Sequence, residues 1–201
     1  MLSHLRPALV LFVLLSLLTG VAYPLAMTGA AKALFPSQAN GSLIQKDGRI
    51  IGSSLIGQNF TRDGYFHGRL SATSDTDPKD PSKTIASPYN AANSAGSNLA
   101  PTSKALLDRV AADSAKLKAE NPNAAVPAEL VTTSASGLDP HISPDTALFQ
   151  VPRIAHARGL SESQVTALIR THTENRWLGL LGEPVVNVLQ LNLALDALGK
   201  P

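Results

Sequence analysis

The chain has 201 residues, with 17 Lys and Arg against 15 Asp and Glu and a formal charge of +2. So even a balance excludes a basic nucleic-acid-binding face, which needs clustered positive charge. The lack of cysteine excludes a disulfide framework, a thiolate-ligated zinc site and a thiol nucleophile.

Residues 1–7 form a short flank containing His4 and Arg6. From Pro7 to Ala31 no Asp, Glu, Lys or Arg occurs, and eleven of the twenty residues from Ala8 to Met27 are Leu, Val or Phe. Twenty helical residues span about 30 Å, the thickness of a bilayer's hydrocarbon core. On an insertion scale the Leu, Val and Phe content contributes on the order of −5 kcal/mol. We therefore expect one transmembrane helix over residues 8–28. A cleaved secretory signal is the competing reading. It is disfavoured because apolar character continues through Val21, Leu25 and Met27, beyond the usual apolar core of a signal. Pro24 is tolerable in a bilayer helix if neighbouring protein satisfies the freed carbonyl. Arg6 and Lys32 on opposite flanks give little charge bias for orientation. Residues 32–201 are expected to form a single soluble domain.

Along that domain, Lys46-Asp47-Gly48 between two apolar runs predicts a hairpin. Ser54 to Gly57 suggests a third short strand. From Gly68 to Pro101 neither a helical nor an alternating pattern holds, which predicts a long irregular loop. Ser103 to Glu120 predicts a helix with Thr102 as cap and Leu106, Leu107, Val110, Ala111 and Leu117 on one face. Leu130 to Thr133 reads as a strand. Ser143-Pro144-Asp145 starts a helix, Pro152 ends or kinks it, and Gly159 fits a C-terminal stop. Ser161 and Gln164 form a capping box, with Leu160 and Val165 as its staple and Val165, Leu168, Ile169 and His172 facing inward. Val185 to Val188 predicts a strand, followed by a helix closing at Gly199. The fold class is α+β, with short strands and about four helices after the span.

Chemical signatures are sparse. No phosphate-binding loop of the GxxxxGK[ST] type occurs, and the turn Ser94 to Asn98 lacks a lysine to reach a phosphate. Ser134 and Ser136 lie near Asp139 and His141, but no GxSxG elbow accompanies them, and Asp139-Pro140 more simply starts a turn. His67, His141, His156 and His172 show no paired ligand spacing. Trp177, flanked by Arg176 and Glu183, reads as a core or interface anchor.

A set of segments in order gives more. LTGVAYPLAMTG inside the span, QANGSLI at 38–44, GSSLIGQNF at 52–60 and YFHGR at 65–69 come first. SNLAPTS at 97–103, VPAELVTTSASGLDPHISP at 126–144, VPRIAHARGL at 151–160 and LGEPVVNVLQLNLALD at 181–196 follow. Together they resemble the C subunit of the bacterial Kdp potassium-transporting ATPase. Leu70 stands where that family commonly has Pro, and Ala95 and Ala100 where it often has Gly.

The resemblance implies a non-catalytic subunit of an ATP-driven potassium importer, single-pass in the bacterial inner membrane and needed for assembly and activity. Its implied partners are the channel-like potassium-translocating A subunit, the P-type ATPase B subunit and the small F subunit. This agrees with the absence of a DKTGT phosphorylation motif and of a TVGYG-like filter. No cofactor is expected to be held stably, and ATP is reached through the ATPase partner. The interface expectation falls on Gly20, Pro24, Gly29, Tyr65, His67, Asn98 and Trp177. Two mechanisms follow. In one, the domain lies outside the membrane at the potassium entrance, where Asp75, Asp77 and Asp80 raise local potassium. In the other, a cytoplasmic domain acts as a catalytic chaperone that raises the ATPase partner's affinity for ATP, with Gln150 as nucleotide contact. A membrane-anchored structural protein unrelated to transport is the third reading.

Overall fold

The computed structural model describes residues 2–199, which fall into two compact units meeting in sequence at Ser53 and Ser54. The first unit holds a continuous apolar helix, Leu5–Leu34, the one helix among the described residues long and apolar enough to cross a membrane. It comprises α1 (Leu5–Leu17), a π-helical turn (Leu18–Ala22) and α2 (Tyr23–Leu34). Pro24 explains the widened turn. It has no N–H, and in a regular helix its ring meets the carbonyl four residues back. Here the Tyr23 N–H instead reaches back five residues to the Leu18 carbonyl, the pattern of a π-bulge. A short helix, α3 (Pro36–Ala39), follows. The predicted hairpin is present as β1 (Leu43–Lys46) and β2 (Arg49–Ser53), with Asp47 and Gly48 both at positive φ in the turn.

The second unit is mixed α and β. Its core lies between a three-stranded antiparallel sheet and four helices. The sheet order is β5 (His141–Ile142), β7 (Val185–Asn187), β6 (Thr173–Glu174). The helices are α5 (Pro144–Phe149), α6 (Val151–Arg158), α7 (Glu162–Thr171) and α8 (Val188–Leu198). Phe66, Ile154, Val165, Val186, Leu191 and Leu195 are fully buried at its centre.

Local signals set the ends of these helices. The Ser143 hydroxyl accepts from the Thr146 N–H at the start of α5. Gly159 closes α6 in the left-handed conformation, and Ser161 with Gln164 completes the expected capping box on α7. Asn187 caps α8 through the Gln190 N–H, and Gly199 ends that helix.

Four expectations are corrected. Ser54 to Gly57 is a turn, not a strand: the Gly57 N–H donates to the Leu138 carbonyl, and a Cβ at Gly57 would stand 2.4 Å from the Tyr89 ring. The stretch 68–101 contains a hairpin, β3 (Ser74–Asp77) and β4 (Asp80–Ala86). Neither face of that hairpin is buried, so no alternation of apolar and polar residues marks it. Leu130 and Val131 are buried, but Leu130 ends a 3-10 turn (Ala128–Leu130) and Val131 follows it; only Thr133 pairs, through a single bridge to Leu70. Helix α4 (Lys104–Glu120) has Ser103 rather than Thr102 at its N-cap position, with no side-chain cap hydrogen bond, and none of its residues is buried.

The rest of 68–101 is fastened by hydrogen bonds. The Thr73 hydroxyl donates to the Ser87 carbonyl at 2.6 Å and the Ser71 hydroxyl to the Gly137 carbonyl at 2.8 Å. Ala95 N–H donates to the Ser136 carbonyl. Positive φ in this region falls on Tyr89 and Asn98, not on Ala95 or Ala100. The two alanines that depart from the family pattern therefore cause no backbone strain.

Candidate functional site

The segment Arg62–Arg69 has no regular secondary structure, yet side chains from distant parts of the second unit hold its backbone. Gln150, between α5 and α6, binds His67 on both sides: its Oε1 accepts from the His67 N–H at 2.8 Å and its Nε2 donates to the His67 carbonyl at 3.1 Å. Asn192 on α8 does the same for Phe66, at 2.8 and 3.0 Å. Two buried amides thus replace the neighbouring strands that the segment lacks, satisfying groups that burial would otherwise leave unpaired.

Two arginines of α6 complete the clamp. Arg153 donates to the carbonyls of Asp63 and Tyr65 and, through Nη2, to Gln150 Oε1 at 2.7 Å. Arg158 donates to the Gly64 carbonyl and pairs with Asp196 at 2.8 Å. Its guanidinium also lies 4.6 Å from the Tyr65 ring centre, a cation–π contact. The Tyr65 hydroxyl donates to Asp196 at 3.3 Å, and its ring stacks on Phe60.

This environment sets the charge state of His67. Burial, and then the Arg153 cation, lower its pKa below the ordinary 6.5. Its Nε2 lies 3.1 Å from the Arg62 carbonyl, so the neutral ring carries its proton there. Next to it, the Tyr89 hydroxyl donates to the Arg69 carbonyl at 2.6 Å. Burial, reinforced by Asp139, pushes that phenol up to about 12.

Three of the sequence-predicted site residues, Tyr65, His67 and Gln150, are therefore brought together. Gln150 is only 4% exposed, and both ends of its amide are engaged: Nε2 also reaches the Thr146 carbonyl at 3.3 Å. Asn98 is exposed and left-handed in another part of the unit, and Trp177 is exposed in the turn between β6 and β7. Gly20, Pro24 and Gly29 lie on the apolar helix, where a Cβ at either glycine would meet nothing within 4 Å. Asn192, Arg153 and Arg158 were not singled out from sequence. Polar residues interrupting the apolar stripe of a helix are the signal that marks them, and Asn192 within LQLNLALD is the clearest case.

The serine–histidine cluster is structural. Ser134 and Ser136 hydroxyls accept from the N–H groups of Gly137 and Leu138, and Asp139 accepts from the His141 N–H, as expected of a turn. An open cleft of about 520 Å³ beside it is lined by Glu129, Asp139, Asp145 and Glu183. Burial raises the Glu129 pKa, but hydrogen bonds from Ser143 and Thr146 outweigh it and hold the carboxyl below its ordinary range. Among the described residues no group of three or more His, Cys, Asp or Glu is arranged to hold a metal ion.

The family model described as "K+-transporting ATPase, c chain" matches residues 5–197. The chain is 68% identical over 197 residues to the potassium-transporting ATPase KdpC subunit of Rhodopseudomonas palustris (strain BisB18), covering 98% of this chain and 99% of that protein. It is 66% identical over 196 residues to the KdpC subunit of Bradyrhizobium diazoefficiens, with 98% of each chain covered. With the KdpC subunit of Methylorubrum extorquens it shares 66% identity over 200 residues and the full length of both. The resemblance met in the ordered segments thus extends over nearly the whole chain, which belongs to the KdpC family, the c chain of the K+-transporting ATPase.

Proposed function

We propose that this chain is a non-catalytic subunit of a potassium-importing ATPase, single-pass in the bacterial inner membrane, that assembles and stabilises the pump with its domain outside the cytoplasm. The partners in this reading are the channel-like potassium-translocating protein, the P-type ATPase and the small accessory chain that the resemblance implies. The observation that carries it is the helix Leu5–Leu34. It is apolar over membrane length, has no buried residue among those described and contains two glycines at which an added Cβ would meet nothing within 4 Å. Such positions let another helix backbone approach closely.

Topology tests it. A reporter active only outside the cytoplasm, fused after the last residue, is expected to be active. A silent fusion, with a cytoplasmic reporter lit instead, would overturn the outside placement.

The chaperone reading makes Gln150 a nucleotide contact. A nucleotide at Gln150 would have to displace its bonds to His67, Arg153 and Thr146. Comparing Gln150→Ala with Asn192→Ala in the assembled pump separates the two roles. Equal loss of stability with unchanged ATP affinity marks Gln150 as a clamp. A drop in ATP affinity for Gln150→Ala alone marks a nucleotide contact.

The entrance carboxylates Asp75, Asp77 and Asp80 lie on the β3–β4 hairpin, where Asp80 pairs with Lys83 at 2.8 Å. If they concentrate potassium, replacing all three by Asn raises the potassium concentration needed for half-maximal ATPase activity. An unchanged value would remove that role.

A further inference from the structure

The turn between β6 and β7 presents Trp177, Leu178, Leu180 and Leu181 to solvent at between 60% and 82% exposure. Contiguous exposed apolar side chains of this size mark a contact surface. The tip carries no charge from Trp177 to Gly182 and is bounded by Arg176 and Glu183, which pair with each other.

We propose that this turn is a second membrane contact, an interfacial anchor that enters the headgroup–acyl boundary of the bilayer that the chain's own helix is proposed to span.

Three observations favour lipid over a protein pocket. First, the turn pairs part of its own backbone. Trp177 and Leu181 exchange backbone hydrogen bonds at 2.8 and 3.0 Å, Leu180 N–H donates to the Trp177 carbonyl and Gly179 N–H to the Arg176 carbonyl. Backbone groups paired within their own segment lower the cost of leaving water, and those left at the apex can still reach water or headgroups at the bilayer boundary. Second, the patch is short, six uncharged residues from Trp177 to Gly182. It ends in sequence at the exposed charged residues Arg176 and Glu183, whereas a stable protein interface takes about 20–30 residues a side. Third, the segment from Phe35 to Ser53 is all the chain that separates the apolar helix from the second unit. A tethered tip needs little affinity of its own, because the tether supplies a high effective concentration of bilayer.

The side chains fit that medium. Trp is enriched where bilayer meets water, and Trp and Leu form the buried face of interfacial anchors. The backbone exposes them at a cost: Leu178 adopts φ +53° ahead of Gly179 at φ +73°, a region that disfavours a side-chain-bearing residue. A polar residue such as Asn meets that geometry more easily, so Leu at the apex is not a choice made by the turn.

Trp177 is the sole tryptophan, so its fluorescence reports on this turn alone. The full chain is placed in nanodiscs of phosphatidylcholine with one-quarter phosphatidylglycerol, with and without lipid spin-labelled near the headgroup. The proposal expects a blue-shifted emission, strong quenching by the spin-labelled lipid and iodide quenching several-fold weaker than for free tryptophan. Replacing Leu178 and Leu180 by Asp is expected to restore iodide access and abolish lipid quenching, with the circular dichroism unchanged. If the chain co-elutes with the discs but Trp177 stays open to iodide and blind to the spin label, the proposal falls and the membrane helix stands. Protection that arises only in the assembled pump would assign the tip to a protein partner and also overturn it. A chain that fails to enter the discs would overturn both readings.

Discussion

Phe66 and His67 show how two side chains substitute for a sheet. Their N–H and C=O groups face Asn192 and Gln150, and each buried group left unpaired costs about 1–3 kcal/mol. Asn192→Ala and Gln150→Ala each strand two backbone groups. Each is expected to lower the melting temperature of the detergent-solubilised chain by several degrees, since about 1 kcal/mol moves Tm by about 2–4 °C in a domain of this size. A change below one degree in both would show that the clamp is not a source of stability.

The titrating groups of this region give a pH signature of fixed sign. The folded state holds the Tyr89 proton more tightly than the unfolded chain does. Its contribution is therefore complete below the ordinary phenol value of 10 and is lost as pH climbs toward about 12. His67 acts at the other end. Its folded pKa is lowered, so stability is undiminished above 6.5 and declines as pH falls from there toward the lowered value. Tyr89→Phe is expected to remove part of the alkaline loss, and His67→Gln part of the acid loss. Thermal melts across pH check both, and unchanged slopes in the variants would refute the assignment. None of this was legible in the sequence. The motif around Tyr65 and His67 was visible, but the Gln and Asn that hold it lie more than eighty residues away, and no local pattern encodes such a pairing.

At the level of elements, legibility follows burial. The helices α5 to α8 were readable because each carries a local stop or start signal and one face in the core. Ser161 illustrates the cap: its hydroxyl accepts from the Gln164 N–H at 3.2 Å while Gln164 Oε1 accepts from the Ser161 N–H at 3.0 Å. Ser161→Ala is expected to cost about 1 kcal/mol, seen as a lowered Tm, and Ser161→Asp to restore most of it. The hairpin β3–β4 was missed for the opposite reason. Its side chains sit in water on both faces, so composition resembled a loop. Helix α4 was found by periodicity, yet its apolar stripe stays partly exposed, with Leu107 at 56%. Periodicity reports that a face prefers burial, not that the chain itself covers it.

For the whole molecule, the two glycines on the apolar helix are where the proposed assembly role can be tested. Glycine inside a helix costs about 1 kcal/mol relative to alanine, and among the described residues nothing outside the helix's own turns lies within 4 Å of a Cβ built at either position. Gly29 lies within the regular helix α2, away from the π turn at Leu18–Ala22, so Pro24 does not account for it. Close approach of a partner backbone, as proposed above, would account for it, because packing between bilayer helices favours small residues at the contact. Gly29→Ala is therefore expected to leave membrane insertion intact and reduce co-purification of the other pump subunits mildly. Gly29→Leu is expected to insert equally well, since a larger apolar side chain only adds to membrane affinity, but to lose most of those partners. Equal recovery of partners with glycine, alanine and leucine would place the contact elsewhere on the helix. A chain lost from the membrane altogether would show that Gly29 serves the helix's own stability instead.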